Sequence, residues 1–411
     1  MERDLKVRLM SAAVANPLPS FFQAFEAPNA KRQLRVLTLT PFYPSAQDPA
    51  QGCFIAEPTR RLSQFGIQNH VIAVNPFYRA ARQSCRDQVP SEWRNFPSLP
   101  GNLGLATSGG LLGRALRRRV CELHSFFPID LIHAHAALPC GAAAMFLGRT
   151  LNVPFVVSVH GLDVFAEKQA GQFIGPWTKR ASMRVYREAK GVVCISEKVR
   201  QQIPEDLQEK TRVIHNGVDA EIFAATCESA NRLRILSVGN LIPIKGHAAL
   251  LRAFADVLKT IPNAELEIIG DGPERNNLVR LADTLGISSR VVFRGRQSRH
   301  AVAVAMQGCV VFALPSRYEG LGCVYLEAMA CGRPAIGCLG QGIDEIIEDG
   351  SNGLLVPPGN AAALADALKA LLRDPELRRR IGTVAQNTIR RRYTLDHQAQ
   401  QLAALYLECV P

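Results

Sequence analysis

Short apolar runs recur along the chain, separated by longer segments in which polar and apolar residues alternate with helical spacing. Leu34 to Thr40 (LRVLTLT) has the pattern of a strand. A loop punctuated by Pro and Gly, PFYPSAQDPAQGCF, follows it. Ile55 to Phe65 then has a helical pattern, and His70 to Val74 is a second strand. Strand, loop, helix, strand is the opening of a parallel α/β domain. Asp130 to His135, Pro154 to Val159 and Gly191 to Ile195 continue the series, with Ser196 opening a helix. Residues 79–113 contain LPGNLGLATSGGLLG and are expected to be an irregular loop segment. After Val213 and Ile214, Asn216-Gly217 is a turn signal, and AATCESANR (224–232) has the small, polar composition of a linker.

A second series starts at Leu233. Strands are expected at Leu233 to Val238, Ala264 to Ile269, Val291 to Arg294, Val310 to Leu314 and Leu354 to Val356. Helices are expected at His247 to Leu258, Ala301 to Met306, Ala361 to Leu372, Pro375 to Arg391 and Leu395 to Leu407. The last carries Leu395, Ala399, Leu402 and Leu405 on one face. The expected organisation is an N-terminal extension (1–32), a first α/β domain (33–223), a linker (224–232), a second α/β domain (233–392) and a terminal helix segment (393–411).

Composition narrows the picture. The chain has 411 residues, 47% of them apolar, enough for two ordinary cores. Eleven cysteines lack any Cys-x-x-Cys pair, which argues against a zinc site or a disulfide framework and for a reducing compartment. The N-terminal stretch has no long apolar core, and no window reads as a membrane span; Leu131 to Gly148 comes nearest but carries His133 and His135. The formal charge is +12, with clusters at Arg117–Arg119, Arg378–Arg380 and Arg390–Arg392. These are either solvated helix faces or an attraction to anionic lipid or a polyanionic acceptor. Nucleic acid is not favoured, because no aromatics are interleaved with the clusters and no nucleic-acid motif is present. The expected location is cytoplasmic, with an anionic membrane surface as a candidate partner.

The richest chemistry lies in LPSRYEGLGCVYLEAMACG, Leu314 to Gly332. Pro315 ends a strand, and Glu319 stands in a loop with Gly320, Leu321 and Gly322. A helix then carries Glu327 in its second turn, and Gly332 falls where a left-handed cap closes it. A glycine-led helix start presents bare N–H groups to an anion such as a phosphate. A carboxylate accepts hydrogen bonds only, which suits the paired hydroxyls of sugars and ribose. Upstream, Gly239-Asn240-Leu241-Ile242-Pro243-Ile244-Lys245-Gly246 joins a strand to a helix, so Lys245 supplies a point charge for a diphosphate. His160 ends a strand at His160-Gly161-Leu162-Asp163, at the mouth where open α/β sheets bind ligands. Asp163 reads as the cap of the following helix, and His133 and His135 are weaker candidates for the acceptor side. No Asp-x-Asp is present to suggest a metal.

PSRYEGLGCVYLEAMACGRP resembles the Glu-x7-Glu signature of the retaining glycosyltransferases of family 4, which have the GT-B fold. The resemblance extends from about Leu34 to Tyr406 and includes His-Gly-x-Asp at His160, Asn-Gly-Val-Asp at Asn216 and the lysine of Gly-Arg-Leu-x-x-x-Lys-Gly at Lys245. The arginine of that last motif is replaced by Asn240. The resemblance implies two Rossmann-like domains facing a cleft, with the terminal helix returning to the first. It implies a nucleoside-diphosphate sugar donor, a glycan or lipid-linked acceptor, retention at the anomeric carbon and no metal or other cofactor. In its terms Glu319 binds sugar hydroxyls, Glu327 the ribose, Lys245 and the Gly320–Gly322 helix start the diphosphate, and His160 the transferred sugar. Gly52 approaches the phosphates or is a plain turn glycine, and the loop at Gly295 cradles the base through its backbone. Cell-surface polysaccharide assembly is the usual setting. A nucleotide-sugar epimerase, a pyridoxal-dependent glycan phosphorylase and a non-catalytic sugar-nucleotide-binding subunit are the alternatives; Asn240 keeps the last open.

Overall fold

The computed structural model describes residues 33–84, 88–100, 104–161, 171–224 and 232–410. Its strands form two sheets, each parallel throughout. The first contains β1 (Leu34–Thr40), β2 (Ile67–Pro76), β3 (Ser91–Phe96), β4 (Leu131–His135), β5 (Phe155–Val159), β6 (Gly191–Cys194) and β7 (Thr211–Val213), in the order β3-β2-β1-β4-β5-β6-β7. The second contains β8 (Arg234–Val238), β9 (Glu265–Ile269), β10 (Val291–Gly295), β11 (Val311–Ala313), β12 (Ala335–Cys338) and β13 (Leu354–Val356), in the order β10-β9-β8-β11-β12-β13. Near-continuous apolar strands are what a parallel sheet covered on both faces demands, and β4, β5 and β6 are buried at every position. In both sheets the order reverses beside the first strand, between β1 and β4 and between β8 and β11. Ligands of doubly wound sheets bind outside the carboxyl ends of the strands at such a switch point.

Packing divides the described residues into two compact units, one of 33–217 with 395–410 and one of 218–394. The chain therefore passes between units at Gly217/Val218, ahead of the linker-like stretch 224–232, of which 225–231 lie outside the described residues, and again at Thr394/Leu395. In the first unit α1 (Cys53–Arg61), α2 (Leu105–Phe126), α3 (Ala142–Leu151), α4 (Gly171–Glu188) and the single turn α5 (Glu197–Arg200) connect the strands. In the second the connections are α6 (His247–Leu258), α7 (Arg275–Thr284), α8 (Arg299–Gly308), α9 (Cys323–Ala330), α10 (Ala361–Arg373) and α11 (Pro375–Arg392).

Helix α12 (Leu395–Cys409) packs with the first unit. Ala399, Leu402, Leu405 and Tyr406 share one apolar cluster with Leu34, Val36, Leu131, Val156 and Val193. Burying a side chain of this size is worth roughly 1.5–3 kcal/mol, so α12 is part of that core and not an appendage. The side chain of Gln398 fixes its start, accepting from Gly217 N at 2.8 Å and donating to Asn216 Oδ1 at 3.3 Å.

The expectation of an irregular segment over 79–113 is corrected. Strand β3 lies inside it, and α2 begins at Leu105. The glycines that suggest a loop serve helix packing instead. A Cβ on Gly109 would lie 2.3 Å from the Cβ of Ala142, and one on Gly113 would lie 2.9 Å from Phe146 Cδ1, so α2 and α3 approach through bare backbone. The helix expected from Ile55 to Phe65 ends at Arg61, and Leu62–Phe65 tightens into a 3₁₀ turn that Gly66 closes at φ 75°.

Candidate functional site

In the second unit, the loop leaving β8 runs from Gly239 to Gly246. Pro243–Lys245 is one 3₁₀ turn, ended by Gly246 at φ 74°. A Cβ on Gly246 would fall 2.1 Å from Pro315 O, so glycine lets this loop lie directly on the one leaving β11. Arg317 N–H donates to Ile244 O at 2.8 Å across the same seam. These main-chain contacts bring Lys245 Nζ to 2.5 Å from Glu319 Oε2, with the two side chains only 19% and 13% exposed. Glu319 is held from every side. Ser316 Oγ donates to Glu319 Oε2 at 3.3 Å, Glu319 N–H donates to Gln341 Oε1 at 3.1 Å, and Gly342 N–H donates to Glu319 O at 3.0 Å. An ion pair this sheltered is stronger than one in open water, because less solvent screens it.

Helix α9 starts at Gly322, φ 85°, with no side chain capping it. It ends as its sequence implies: Gly332 has φ 69°, its N–H donates to Met329 O, and Arg333 N–H donates to Ala328 O. That double bond is the Schellman closure. Glu327 in the second turn is 3% exposed. A buried carboxylate needs a partner, and Arg299, the first residue of α8, supplies it at 2.5 Å. The Arg299 guanidinium also lies 4.8 Å from the ring centre of Phe223.

The remaining positions expected on the donor side divide by what they offer. Gly320 and Leu321 are buried, so they present backbone only. Asn240, which stands where the arginine of the resembled motif would be, is exposed. Gly295 ends β10 at φ 68° and its carbonyl accepts from Gly270 N–H at 2.9 Å. A Cβ there would lie 3.3 Å from Arg275 Nη1, which places that guanidinium over the glycine. Arg299, Gln341 and Ser316 escaped the sequence reading. Ser298 caps α8 by accepting from Ala301 N–H, a local signal that could have placed the start of that helix at Arg299 and not at Ala301.

The candidate residues of the first unit are histidines. Strand alternation puts His133 and His135 on one face of β4, and Ser158 and His160 on the same face of β5 and its extension. His133 Nε2 lies 2.7 Å from Ser158 Oγ, and His133 Nδ1 lies 2.6 Å from the Tyr406 hydroxyl on α12. His135 Nδ1 is 3.0 Å from His160 Nε2. The ring centres of His133 and His135 are 4.3 Å apart, those of His135 and His160 5.2 Å, and Phe54 meets His160 edge-on at 5.1 Å. Burial pushes all three imidazoles down: His133 to about 3, His160 to about 4 and His135 well below the usual value, where the neighbouring rings add to the effect. All three are neutral at pH 7. With Tyr406 and Phe54 they line a cavity of about 20 Å³, room for one water-sized molecule.

Gly52 precedes α1 with φ 70°, and a Cβ there would lie 2.5 Å from Phe42 C, so the turn itself requires glycine. Leu162 and Asp163 lie outside the described residues. Among the described residues no group of three or more His, Cys, Asp and Glu side chains is placed to hold a metal ion, and no helix is long and apolar enough to cross a membrane.

Two family models match the chain. That of the group 1 glycosyl transferases covers residues 219–388, and that of Glycosyltransferase Family 4 covers 54–222. The alpha-D-kanosaminyltransferase of Streptomyces kanamyceticus is 31% identical over 377 residues, 84% of this chain and 95% of that one. Among solved structures, sucrose-phosphate synthase from Thermosynechococcus elongatus superposes with a TM-score of 0.74 at 20% identity, covering 91% of this chain and 98% of the other. Anabaena HepE in complex with UDP-glucose superposes at 0.70 and 21%, covering 91% and 100%.

Proposed function

Since the chain belongs to family 4 of the glycosyltransferases, a hexosyltransferase family of GT-B fold, we propose that it moves a sugar from a nucleoside diphosphate to a glycan or lipid-linked acceptor, with retention at the anomeric carbon and without a metal. The observation that carries this reading is the Lys245–Glu319 pair at the β8/β11 switch point, beside the uncapped start of α9. An arriving diphosphate competes for the ammonium of Lys245. The carboxylate of Glu319 is thereby released to accept from sugar hydroxyls. Glu327, its charge held by Arg299, takes the ribose hydroxyls. As the glycosidic bond breaks, negative charge grows on the departing diphosphate, and Lys245 with the N–H groups of Gly322 and early α9 stabilises it. Fixed donors aimed at developing charge are often the largest single contribution to catalysis. The backbone at Gly295 receives the base, and His160 orients the transferred sugar.

The bound UDP-glucose of HepE makes UDP-sugars the first to try. Calorimetric titration with UDP, GDP, ADP and their sugar conjugates should show one base preferred, and Lys245→Ala should weaken the diphosphate itself. Unchanged affinity in that variant sinks the clamp. An epimerised sugar nucleotide formed without acceptor would replace transfer by epimerisation.

For the acceptor, we place the protein peripherally at the inner face of a membrane, in the assembly of cell-surface polysaccharide. The net charge of +12 supports this, as do Phe77, Tyr78 and Trp177, large apolar side chains left exposed on the first unit. Co-sedimentation with phosphatidylglycerol vesicles, lost in high salt and absent with phosphatidylcholine, is the expected result. Equal behaviour with both lipids would remove the electrostatic part of the proposal.

A further inference from the structure

Arg275, the first residue of α7, has no part in the scheme above. It stands where the exits of three strands meet. Gly239 N–H donates to Ile269 O at 3.0 Å, and Gly270 N–H donates to Gly295 O at 2.9 Å, so the loops leaving β8, β9 and β10 lie side by side at the carboxyl edge of the second sheet. Glycine permits this closeness: a Cβ on Gly270 would fall 1.9 Å from Gly239 O, and one on Gly272 would fall 2.5 Å from Leu241 O. The chain then turns into α7, and the Arg275 side chain reaches back to the end of β10. Its Nη1 lies 3.3 Å from where a Cβ of Gly295 would stand. The guanidinium is half-buried, and among the described residues no hydrogen bond or ion pair holds it. The acids nearest in sequence are engaged elsewhere. Asp271 Oδ1 accepts from Gly272 N–H at 2.8 Å, and Glu274 Oε1 accepts from Asn277 Nδ2 at 3.1 Å. Arg294 and Arg299, by contrast, are each held by a glutamate, Glu267 and Glu327.

We propose that Arg275 is a specificity residue of the donor site: its uncommitted guanidinium, set against the strand end at Gly295, reads a carbonyl on the nucleobase and selects uracil or guanine over cytosine or adenine. A guanidinium donates hydrogen bonds and accepts none. Uracil O4 and guanine O6 are acceptors. At the equivalent position cytosine and adenine carry an amine, which also donates, so donor would face donor. The planar fork matches guanine O6 and N7 together and meets uracil through one carbonyl. The main chain at Gly295 is common to every base, and a side chain is what distinguishes among them. The inference rests on the place given to the base in the proposed function and narrows its class of donor.

The test is calorimetric titration of the full-length protein with UDP, CDP, GDP and ADP, read as two ratios between bases of one size: UDP against CDP, and GDP against ADP. In the size class that the site accepts, the carbonyl base should bind about 10- to 100-fold more tightly than its amino counterpart, the range for a hydrogen bond to a charged group. The pair in which this occurs tells uracil from guanine. Arg275→Leu should bring that ratio close to one, chiefly by weakening the carbonyl base, with far-UV dichroism unchanged. Arg275→Gln should do the same, because its amide can turn either a donor or an acceptor to the base, and it carries the test if Arg275→Leu aggregates. A parent without preference for the carbonyl base, or a ratio that survives the substitutions, overturns the proposal. So does an equal loss for all four nucleotides in Arg275→Leu, the mark of a general attraction to the diphosphate. Each of those results leaves the donor site itself standing. A parent that binds no nucleoside diphosphate removes that site, and the proposal with it.

Discussion

Beyond the carboxyl ends of β8 and β11 the second unit shelters two ion pairs, Lys245–Glu319 and Arg299–Glu327, while beyond β4 and β5 the first unit shelters three uncharged imidazoles. Both units use the same order for their first six strands and the same reversal point, and the first unit adds a seventh strand at its edge. What differs is the ligand each is proposed to receive. A diphosphate carries charge, and a site prepared for it keeps countercharges that can be traded for it at little electrostatic cost. A sugar is neutral, and a site prepared for it offers donors and acceptors that add no net charge. The contrast between tradeable pairs and neutral rings can be tested by removing one element at a time.

The largest effect is expected from Arg299→Leu. It strands Glu327, whose side chain is 4% exposed, without a partner. Breaking a buried pair from one side costs about 3–5 kcal/mol. Urea unfolding followed by far-UV dichroism should show the loss, with donor affinity falling alongside. A near-neutral outcome would mean that Glu327 reaches water or finds another partner. Next comes Lys245→Met, which on the proposed mechanism removes charge stabilisation of the leaving group. Steady-state kinetics should show kcat lower by about 10²–10³ with the fold intact, the usual effect of deleting one such donor. Had the pair been purely structural, the melting temperature would fall and kcat would follow only through lost protein.

A smaller effect is expected from Gly109→Ala in the first unit. The new methyl would meet Ala142 Cβ at 2.3 Å, and overpacking of this kind costs about 1–3 kcal/mol. Both tryptophans of the sequence, Trp93 and Trp177, lie in the first unit, so indole fluorescence reports that unit alone. Its denaturation midpoint should drop in this variant while the remaining dichroism signal holds. The mildest perturbation is pH. His133, His135 and His160 have folded pKa values depressed below the ordinary 6.5. Their contribution to stability is therefore complete above about pH 6.5 and is lost as pH falls below it, because the unfolded chain binds protons that the fold refuses. The second unit carries one such group, His247, lowered to about 4 by burial with Lys245 adding to the effect. Acid titration should thus show the fluorescence transition at higher pH than the dichroism of the other unit. Coincident transitions would show that the two units unfold as one.

The strands were readable because a fully covered parallel strand announces itself as an apolar run. β1, β13 and α6 fall on the residues read for them. The closure of α9 at Gly332 was equally plain, since cap geometry is local. Function written in distant pairings was not legible. Lys245 meets Glu319 across 74 residues and Arg299 meets Glu327 across 28, and neither spacing carries a periodic signal. The glycines at 109 and 113 misled for the same reason. Whether a glycine breaks a helix or lets one approach a neighbour depends on the neighbour, here Ala142 and Phe146. The histidine face of the first unit was only half visible. His133 and His135 were read as candidates, but the face they share, the partner strand and Tyr406, 273 residues from His133, came only with the fold.

The placement of α12 sets an order of assembly. Residues 33–217 leave the ribosome before residues 218–394, yet the cluster around Leu34, Val36, Leu131 and Val156 lacks Ala399, Leu402, Leu405 and Tyr406 until that second stretch has also been made. The unit begun before the other is thus completed after it. Its exposed apolar seam must wait while some 180 further residues are threaded out and fold.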